Sequence, residues 1–150
     1  MRKHHPFKSI FYIATGLLIC AVYGSCGNND NEPDPEQVAL GQLSATWELG
    51  SVINNGTTVN DIFSGFTLTL NSDFTYSTTN GGNPWPAQGT FEFTDNTYKN
   101  IRRDDDLAIL ITEVTETRLV LQFQFLTVRG QANGTEGITG NFTFDLTKSN

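Results

Sequence analysis

The sequence has 150 residues, of which 16 are acidic and nine are basic, so the formal net charge is −7. Proteins that bind nucleic acids cluster Lys and Arg on one face, and this excess of acidic residues therefore argues against a nucleic-acid partner. The length after any N-terminal signal is enough for one domain.

The N-terminal segment has three zones of different character. The first eight residues carry three basic side chains and no acid, residues 10–22 are almost entirely apolar, and Gly24 and Ser25 are small. This order of basic, apolar and small residues predicts a secretory signal peptide over residues 1–25. The apolar run is shorter than the roughly 20 residues of a membrane-spanning helix.

Cys26 follows the two small residues directly. Gly24-Ser25-Cys26 resembles the lipobox of bacterial lipoproteins, although Tyr23 stands where that family usually has Leu. The resemblance implies cleavage before Cys26 and its modification by acyl chains such as palmitate, and two or three chains anchor a protein stably. The alternative is cleavage near Ser25 by the general signal peptidase, which would leave a free thiol.

Residues 26–37 follow as a polar segment that separates Cys26 from the rest of the chain. The stretch 27–37 contains four acids, two prolines and no apolar residue, which predicts a solvated, extended tether. An acid-rich run just after the lipidated Cys resembles the export signal of Bacteroidetes surface lipoproteins. The resemblance implies an outer-membrane lipoprotein on the periplasmic or the cell-surface side.

Loss of the signal peptide changes the chemical inventory of the chain. Both histidines and Cys20 leave with it, and six basic residues then face all sixteen acids, for a net charge of −10. Cys–His and Ser–His–Asp catalysis and the usual zinc and haem sites need side chains that are then missing. We therefore expect no enzymatic activity, no cofactor and no metal site.

Residues 38–150 show the period-two alternation of half-buried antiparallel strands, most clearly at Phe66–Leu70, Leu119–Phe125 and Phe142–Leu146. In the first strand the pattern places Trp47, Leu49 and Ile53 on one face. Short turn-rich connections favour an all-β, eight-stranded antiparallel up-and-down barrel, with a two-sheet β-sandwich as the alternative. The predicted strands are 46–53, 62–70, 74–79, 88–93, 98–103, 107–114, 117–126 and 139–147.

Several short motifs of this domain form a recognisable set. They are Ser44-Ala-Thr-Trp47 after a helix-like turn at Pro35–Gly41, Phe66–Asp73 with Tyr76, Asn83-Pro-Trp-Pro86, Gly89-Thr-Phe91 and Gly140–Phe144. Together they resemble the lipocalin-like domain of Bacteroidetes lipoproteins, although Ala45 replaces a family glycine and the domain is about a third shorter than a typical lipocalin. That resemblance implies a closed barrel with a short helix at one end and a small-molecule site inside.

The two tryptophans of the domain have different predicted roles. We expect Trp47 to plug the closed end of the barrel, with its indole N–H on a backbone carbonyl. Trp85, between Pro84 and Pro86, has two interpretations. It is either an exposed ring at the barrel mouth, where it could stack on a sugar, or a lid that folds back onto the core.

Arg102–Asp106 is the densest charge cluster of the sequence. Three consecutive aspartates offer oxygen ligands for Ca²⁺, but the run lacks the spacing and the glycine of an EF-hand loop. We interpret it as a solvated hairpin with local Arg–Asp pairs, which contribute little to stability. Glu92, between two phenylalanines, is expected to point outward.

These observations predict a non-catalytic, membrane-anchored, lipocalin-like protein that binds a small apolar or amphipathic molecule. An interior site would need a cavity of about 300 Å³ or more. The alternative is a cell-surface accessory protein that binds glycan or an envelope protein through Trp85 and the Arg129–Gly140 loop, with a filled barrel as scaffold. The predicted ligand-binding residues are Phe66, Leu68, Leu70, Tyr76, Trp85, Phe91, Phe93, Leu121, Phe123, Phe142 and Phe144.

Overall fold

The structure is a computed structural model, and it describes residues 32–126 and 138–150. The predicted signal peptide, Cys26 and most of the Arg129–Gly140 loop lie outside these residues, so the interpretations that depend on them stay predictions. The chain from Glu32 to Asn150 forms a compact unit.

The described residues form one α-helix, one short 3-10 helix at Asn60–Phe63 and nine β-strands, which confirms the all-β prediction. The helix α1 comprises Pro35–Leu43. The strands are β1 (Ala45–Asn54), β2 (Thr57–Thr58), β3 (Thr67–Leu70), β4 (Thr75–Thr79), β5 (Gln88–Phe93), β6 (Asn100–Arg103), β7 (Ala108–Val114), β8 (Arg118–Phe125) and β9 (Gly140–Lys148).

The strands close into a barrel. From β3 to β9 each strand pairs antiparallel with the next, β1 pairs with β3, and β9 pairs back with β1. The result is the predicted eight-stranded up-and-down barrel, and the two-sheet sandwich is wrong. The extra strand β2 forms a tight hairpin with β1, whose turn residues Asn55 and Gly56 both have positive φ, as the sequence Asn-Gly predicts.

The up-and-down order gives the barrel two distinct ends. The helix end comprises α1 and the connections 71–74, 94–99 and 115–117. The loop end comprises the 3-10 helix and, among others, the connections 80–87 and 104–107.

Helix α1 begins inside the stretch that was predicted to be tether. The Asp34 carboxylate caps it by accepting the Glu36 N–H at 3.0 Å, and Pro35 occupies the first turn, where its missing N–H costs nothing. Leu40 and Leu43 are buried in the barrel core. The helix therefore belongs to the folded domain and closes one end of the barrel.

A β-bulge changes the inward face of β1. The register with β9 shifts between Leu49 and Ser51, and a Cβ on Gly50 would lie only 2.8 Å from the backbone oxygen of Asp145. A bulge adds one residue to the strand and so inverts the alternation beyond it. Val52 is consequently buried, and the prediction that Ile53 shares the face of Trp47 is wrong.

The predicted strand 62–70 is also corrected at its beginning. Residues up to Phe63 form the 3-10 helix, Gly65 has a φ of +73°, and β3 begins only at Thr67. Phe63 is nevertheless fully buried. The chain turns here so that a large ring enters the barrel, an arrangement that a continuous strand would not allow.

Candidate functional site

Aromatic rings fill the loop-end half of the barrel interior. The Phe144 ring is central: its centroid lies 5.1 Å from that of Phe63 and 5.2 Å from that of Phe66. Most pairs are tilted or edge-to-face, the arrangements that aromatic rings prefer. Side chains therefore occupy this part of the interior. The network consists of Phe63, Phe66, Trp85, Phe123, Phe142 and Phe144.

Ten of the eleven predicted ligand-binding residues are buried in a single core. The exception is Phe93, which is half-buried at the helix end, where its ring packs on Phe74 and Tyr98. The sequence therefore identified residues that lie together. In the structure these side chains pack against one another in the core. Four clefts of the described residues each include at most one of these eleven side chains. Ligand binding by the interior residues stays a prediction.

The two tryptophans close opposite ends of the barrel. Trp47 is fully buried, and its indole N–H donates to the Leu43 carbonyl at 2.9 Å, which is the backbone hydrogen bond that the sequence analysis expects. Trp85 is only 3% exposed and packs on Phe66, Tyr76, Phe123 and Phe144. Trp85 therefore folds back onto the core, and its interpretation as an exposed platform for a sugar is wrong.

Arg103 is the main feature that the sequence did not reveal. It is only 2% exposed, and its guanidinium lies 5.0 Å from the Trp85 ring and 5.7 Å from the Tyr76 ring. It donates to the Pro84 carbonyl at 2.7 Å and forms a bidentate pair with the Asp105 carboxylate. Arg103 thus holds the 80–87 connection against the barrel.

The solvated hairpin predicted at Arg102–Asp106 is therefore only partly correct. Arg102 is exposed and pairs with Glu92, which points outward as expected. Arg103 is buried because strand β6 alternates: Ile101 and Arg103 both face inward. The alternation of β6 is the sequence signal that could have predicted the burial of Arg103. A charged residue at an inward-facing position is, however, seldom assigned to the core.

Burial and ion pairing shift the pKa values of two side chains at the loop end. Burial raises the pKa of the Tyr76 hydroxyl above its ordinary value of 10.0. The hydrogen bonds from Arg103 hold the pKa of Asp105 below its ordinary value of 3.8. Within residues 32–126 and 138–150, no group of three His, Cys, Asp or Glu side chains is arranged to hold a metal ion.

A cleft of about 650 Å³ lies at the helix end, between α1, residues 97–99 and residues 111–114. It arises because the neighbouring strands differ in extent. The Ile111 N–H donates to the Lys99 carbonyl at 2.7 Å. Strand β7 continues from there to Val114, beyond the residues that pair with β6. A bulge between Ile111 and Glu113 then bends β7 locally. Helix α1 forms the remaining side.

The surface of this cleft is mainly apolar. Val38 is 44% exposed there, so an apolar side chain of the cleft is open to water. The charged side chains that line it are Glu32, Lys99 and Glu113. The apolar side chains are Pro33, Pro35, Val38, Ala39, Ile111 and Val114, together with the Tyr98 ring.

Comparison with known proteins gives no relative for this chain. No protein-family model matches it, and neither a curated protein nor a solved structure matches it. The fold is compatible with the lipocalin-like architecture on the strength of its closed eight-stranded antiparallel barrel alone. None of the helices in the described part of the chain combines the length and apolar character needed to cross a membrane.

Proposed function

We propose that this protein is a non-catalytic, lipid-anchored binding protein that takes the apolar part of a small amphipathic molecule into the cleft at the helix end of its barrel. The observation that carries the proposal is the cleft itself. Its volume of about 650 Å³ falls within the range of roughly 300–1,000 Å³ that is typical of ligand sites.

The packing of the barrel supports this location of the site over the interior. The aromatic network leaves Phe144 fully buried among rings, so an interior ligand would have to displace side chains. Overpacking a filled core costs about 1–3 kcal/mol or more. A ligand in the cleft instead covers surface that is already open to water, such as Val38.

The cleft is also close in sequence to the proposed lipid anchor. Five residues separate Cys26 from Glu32, which lines the cleft, and a stretch of that length spans at most about 20 Å. Anchoring through Cys26 would therefore keep the cleft near the membrane surface. A tethered protein of this design could exchange amphipathic molecules with the bilayer.

The test is a titration of the mature chain carrying Cys26→Ser, so that no acyl chain of its own competes for the site. Dodecanoate is added below its micelle concentration while amide chemical shifts are followed by NMR. We expect shifts at Val38, Ala39 and Thr112, with little change at Phe144. Shifts confined to the interior would move the site into the barrel, and the absence of any shift would contradict the proposal.

Two variants provide the matched control. Val38→Glu places a charge in the cleft and should weaken dodecanoate binding by about tenfold or more. Leu110→Glu places the same charge on the outer face of β7, where Leu110 is 40% exposed and does not line the cleft. Leu110→Glu should bind dodecanoate as tightly as the parent Cys26→Ser chain does. Equal losses in both variants would show that the effect is one of overall charge.

The filled interior also favours a second candidate function, a surface interaction protein with the barrel as a rigid scaffold. The burial of Trp85 removes that side chain as a glycan platform, which leaves other surfaces to make the contact. If the protein acts as such a scaffold, the lipidated protein should pull down the same envelope components with and without Val38→Glu. Loss of the partner with Val38→Glu would assign the contact to the cleft instead.

A further inference from the structure

We propose that Lys99 makes the cleft selective for amphipathic molecules with an anionic head group, such as a carboxylate. This inference rests on the proposed function, because it concerns the ligand class of the same site. It is carried by the position of Lys99 on the cleft wall and by the ion pairs of the surrounding charges.

The backbone of Lys99 is held at the edge of the cleft. Its carbonyl accepts the Ile111 N–H at 2.7 Å, and its own N–H lies 3.4 Å from the Thr97 hydroxyl oxygen. Lys99 is exposed and lines the cleft beside apolar residues, so its ammonium group is accessible to a ligand bound there. An aliphatic stem with a charged tip suits such a boundary between apolar surface and water.

The arginines of the described residues are already engaged, and Lys148, the other described lysine, does not line the cleft. Arg102 pairs with Glu92, Arg103 pairs with Asp105, and Arg118 bridges Glu113 and Asp145. No carboxylate of a described residue lies within 4.0 Å of the Lys99 ammonium group. In a chain with a strong excess of acid, this lysine is therefore available to an external anion.

The two acids that line the cleft, Glu32 and Glu113, oppose an anionic ligand to different extents. The Glu113 carboxylate lies 2.6 Å from the guanidinium of Arg118, a cation that it shares with Asp145. Glu32 has no such partner among the described residues, and its negative charge opposes an anionic ligand. The apolar floor would hold the chain of the ligand, and Lys99 would hold its head group against the residual field of Glu32.

The experiment compares three probes of equal chain length, namely dodecanoate, dodecanol and dodecyltrimethylammonium, each below its micelle concentration. On the mature Cys26→Ser chain we expect dodecanoate to bind about threefold more tightly than dodecanol, the scale of an exposed ion pair. Lys99→Gln should lower the affinity for dodecanoate to that for dodecanol or below it, because the carboxylate then has no cation to pair with. Lys148→Gln, which removes a lysine that does not line the cleft, should leave the preference intact.

Two further measurements separate the outcomes. Glu32→Gln should strengthen dodecanoate binding, and added salt should reduce the preference for dodecanoate over dodecanol. Tighter binding of dodecyltrimethylammonium, lost in Glu32→Gln, would overturn the anion selectivity and leave the cleft as a binding site. Equal binding of all three probes would also overturn it. Failure of every probe to bind would instead contradict the proposed function itself.

Discussion

The two ends of the barrel are both closed around a buried tryptophan, but different interactions hold them. At the helix end, Trp47 is a strand residue whose indole N–H donates to the carbonyl of Leu43 in the preceding helix. At the loop end, Trp85 belongs to a connection, and the guanidinium of Arg103 lies over its ring. The indole N–H of Trp85 has no acceptor among the described residues.

One end of the barrel is thus closed by residues that are close in sequence, and the other end is closed by residues that are farther apart in the chain. Trp47 and Leu43 are four residues apart, so the contact forms wherever the helix packs against the first strand. Trp85 precedes β5 and Arg103 ends β6, so the pairing of these two strands brings them together. The helix end therefore depends on local sequence, and the loop end depends on the assembled barrel.

The largest expected effect breaks the loop end alone. Arg103→Met removes the cation over Trp85 and the hydrogen bond to Pro84, and we expect the free energy of unfolding to fall by about 2–3 kcal/mol. This is less than the roughly 3–5 kcal/mol of a fully buried pair, because Asp105 is partly exposed to water. Hydrogen exchange should quicken in the 80–87 connection and stay unchanged in α1.

The neighbouring arginine supplies the control for this prediction. Arg102→Met removes an exposed pair with Glu92 and should leave the free energy of unfolding nearly unchanged, as measured by chemical denaturation. Equal losses for the two variants, or exchange that quickens at both ends of the barrel, would contradict the view that Arg103 specifically holds the loop end.

A smaller effect is expected when each tryptophan is replaced by phenylalanine. Trp47→Phe leaves the Leu43 carbonyl without its donor and creates a small cavity, for a loss of about 2 kcal/mol. Trp85→Phe also creates a cavity but removes an N–H that has no acceptor among the described residues, so we expect a loss of about 1 kcal/mol. Denaturation curves of the two variants that coincide, or a larger loss for Trp85→Phe, would contradict this ranking of the two tryptophans.

The last expected effect concerns acid, and it touches both ends. At the helix end, hydrogen bonds from Thr97 and Asn100 hold the pKa of Asp95 below its ordinary value of 3.8, and at the loop end Arg103 does the same for Asp105. A depressed pKa means that the folded state binds fewer protons than the unfolded state. The stabilisation is therefore present above about pH 4 and is lost as the pH falls through the lower, folded-state pKa.

Melting temperatures measured from about pH 5 down to about pH 2 check this expectation. We expect Asp95→Asn and Asp105→Asn each to be less stable than the parent at pH 5 and to lose less further stability in acid. If either variant loses as much stability as the parent over this range, the corresponding carboxylate does not contribute to acid sensitivity.

Much of the fold could be predicted from the sequence because strand formation leaves a direct signature. The alternation at Leu119–Phe125 reflects one buried and one solvated face, and the turn at Asn55-Gly56 needs two residues that tolerate positive φ. These signals depend on neighbouring residues only. They were sufficient to give the eight-stranded barrel, although not the short extra strand β2.

The candidate site was harder to predict because it depends on relations between strands. The bulge at Gly50 shifts the register of β1 against β9 and places Gly50 close to the backbone of Asp145. The burial of Arg103 depends on the rings of Tyr76 and Trp85, which are distant in sequence. The alternation of a single strand contains no information about such partners.

The sequence by itself thus determined an all-β barrel with a helix-linked tryptophan plug and an aromatic interior. Only the tertiary structure decided that the aromatic rings fill the loop-end half of the interior and that Trp85 is buried under Arg103. It also decided that a cleft opens where β7 extends beyond β6 beside α1. The physical reason is that apolar periodicity specifies which side of a strand is buried, whereas cavities and buried charges arise from how strands of unequal extent meet in space.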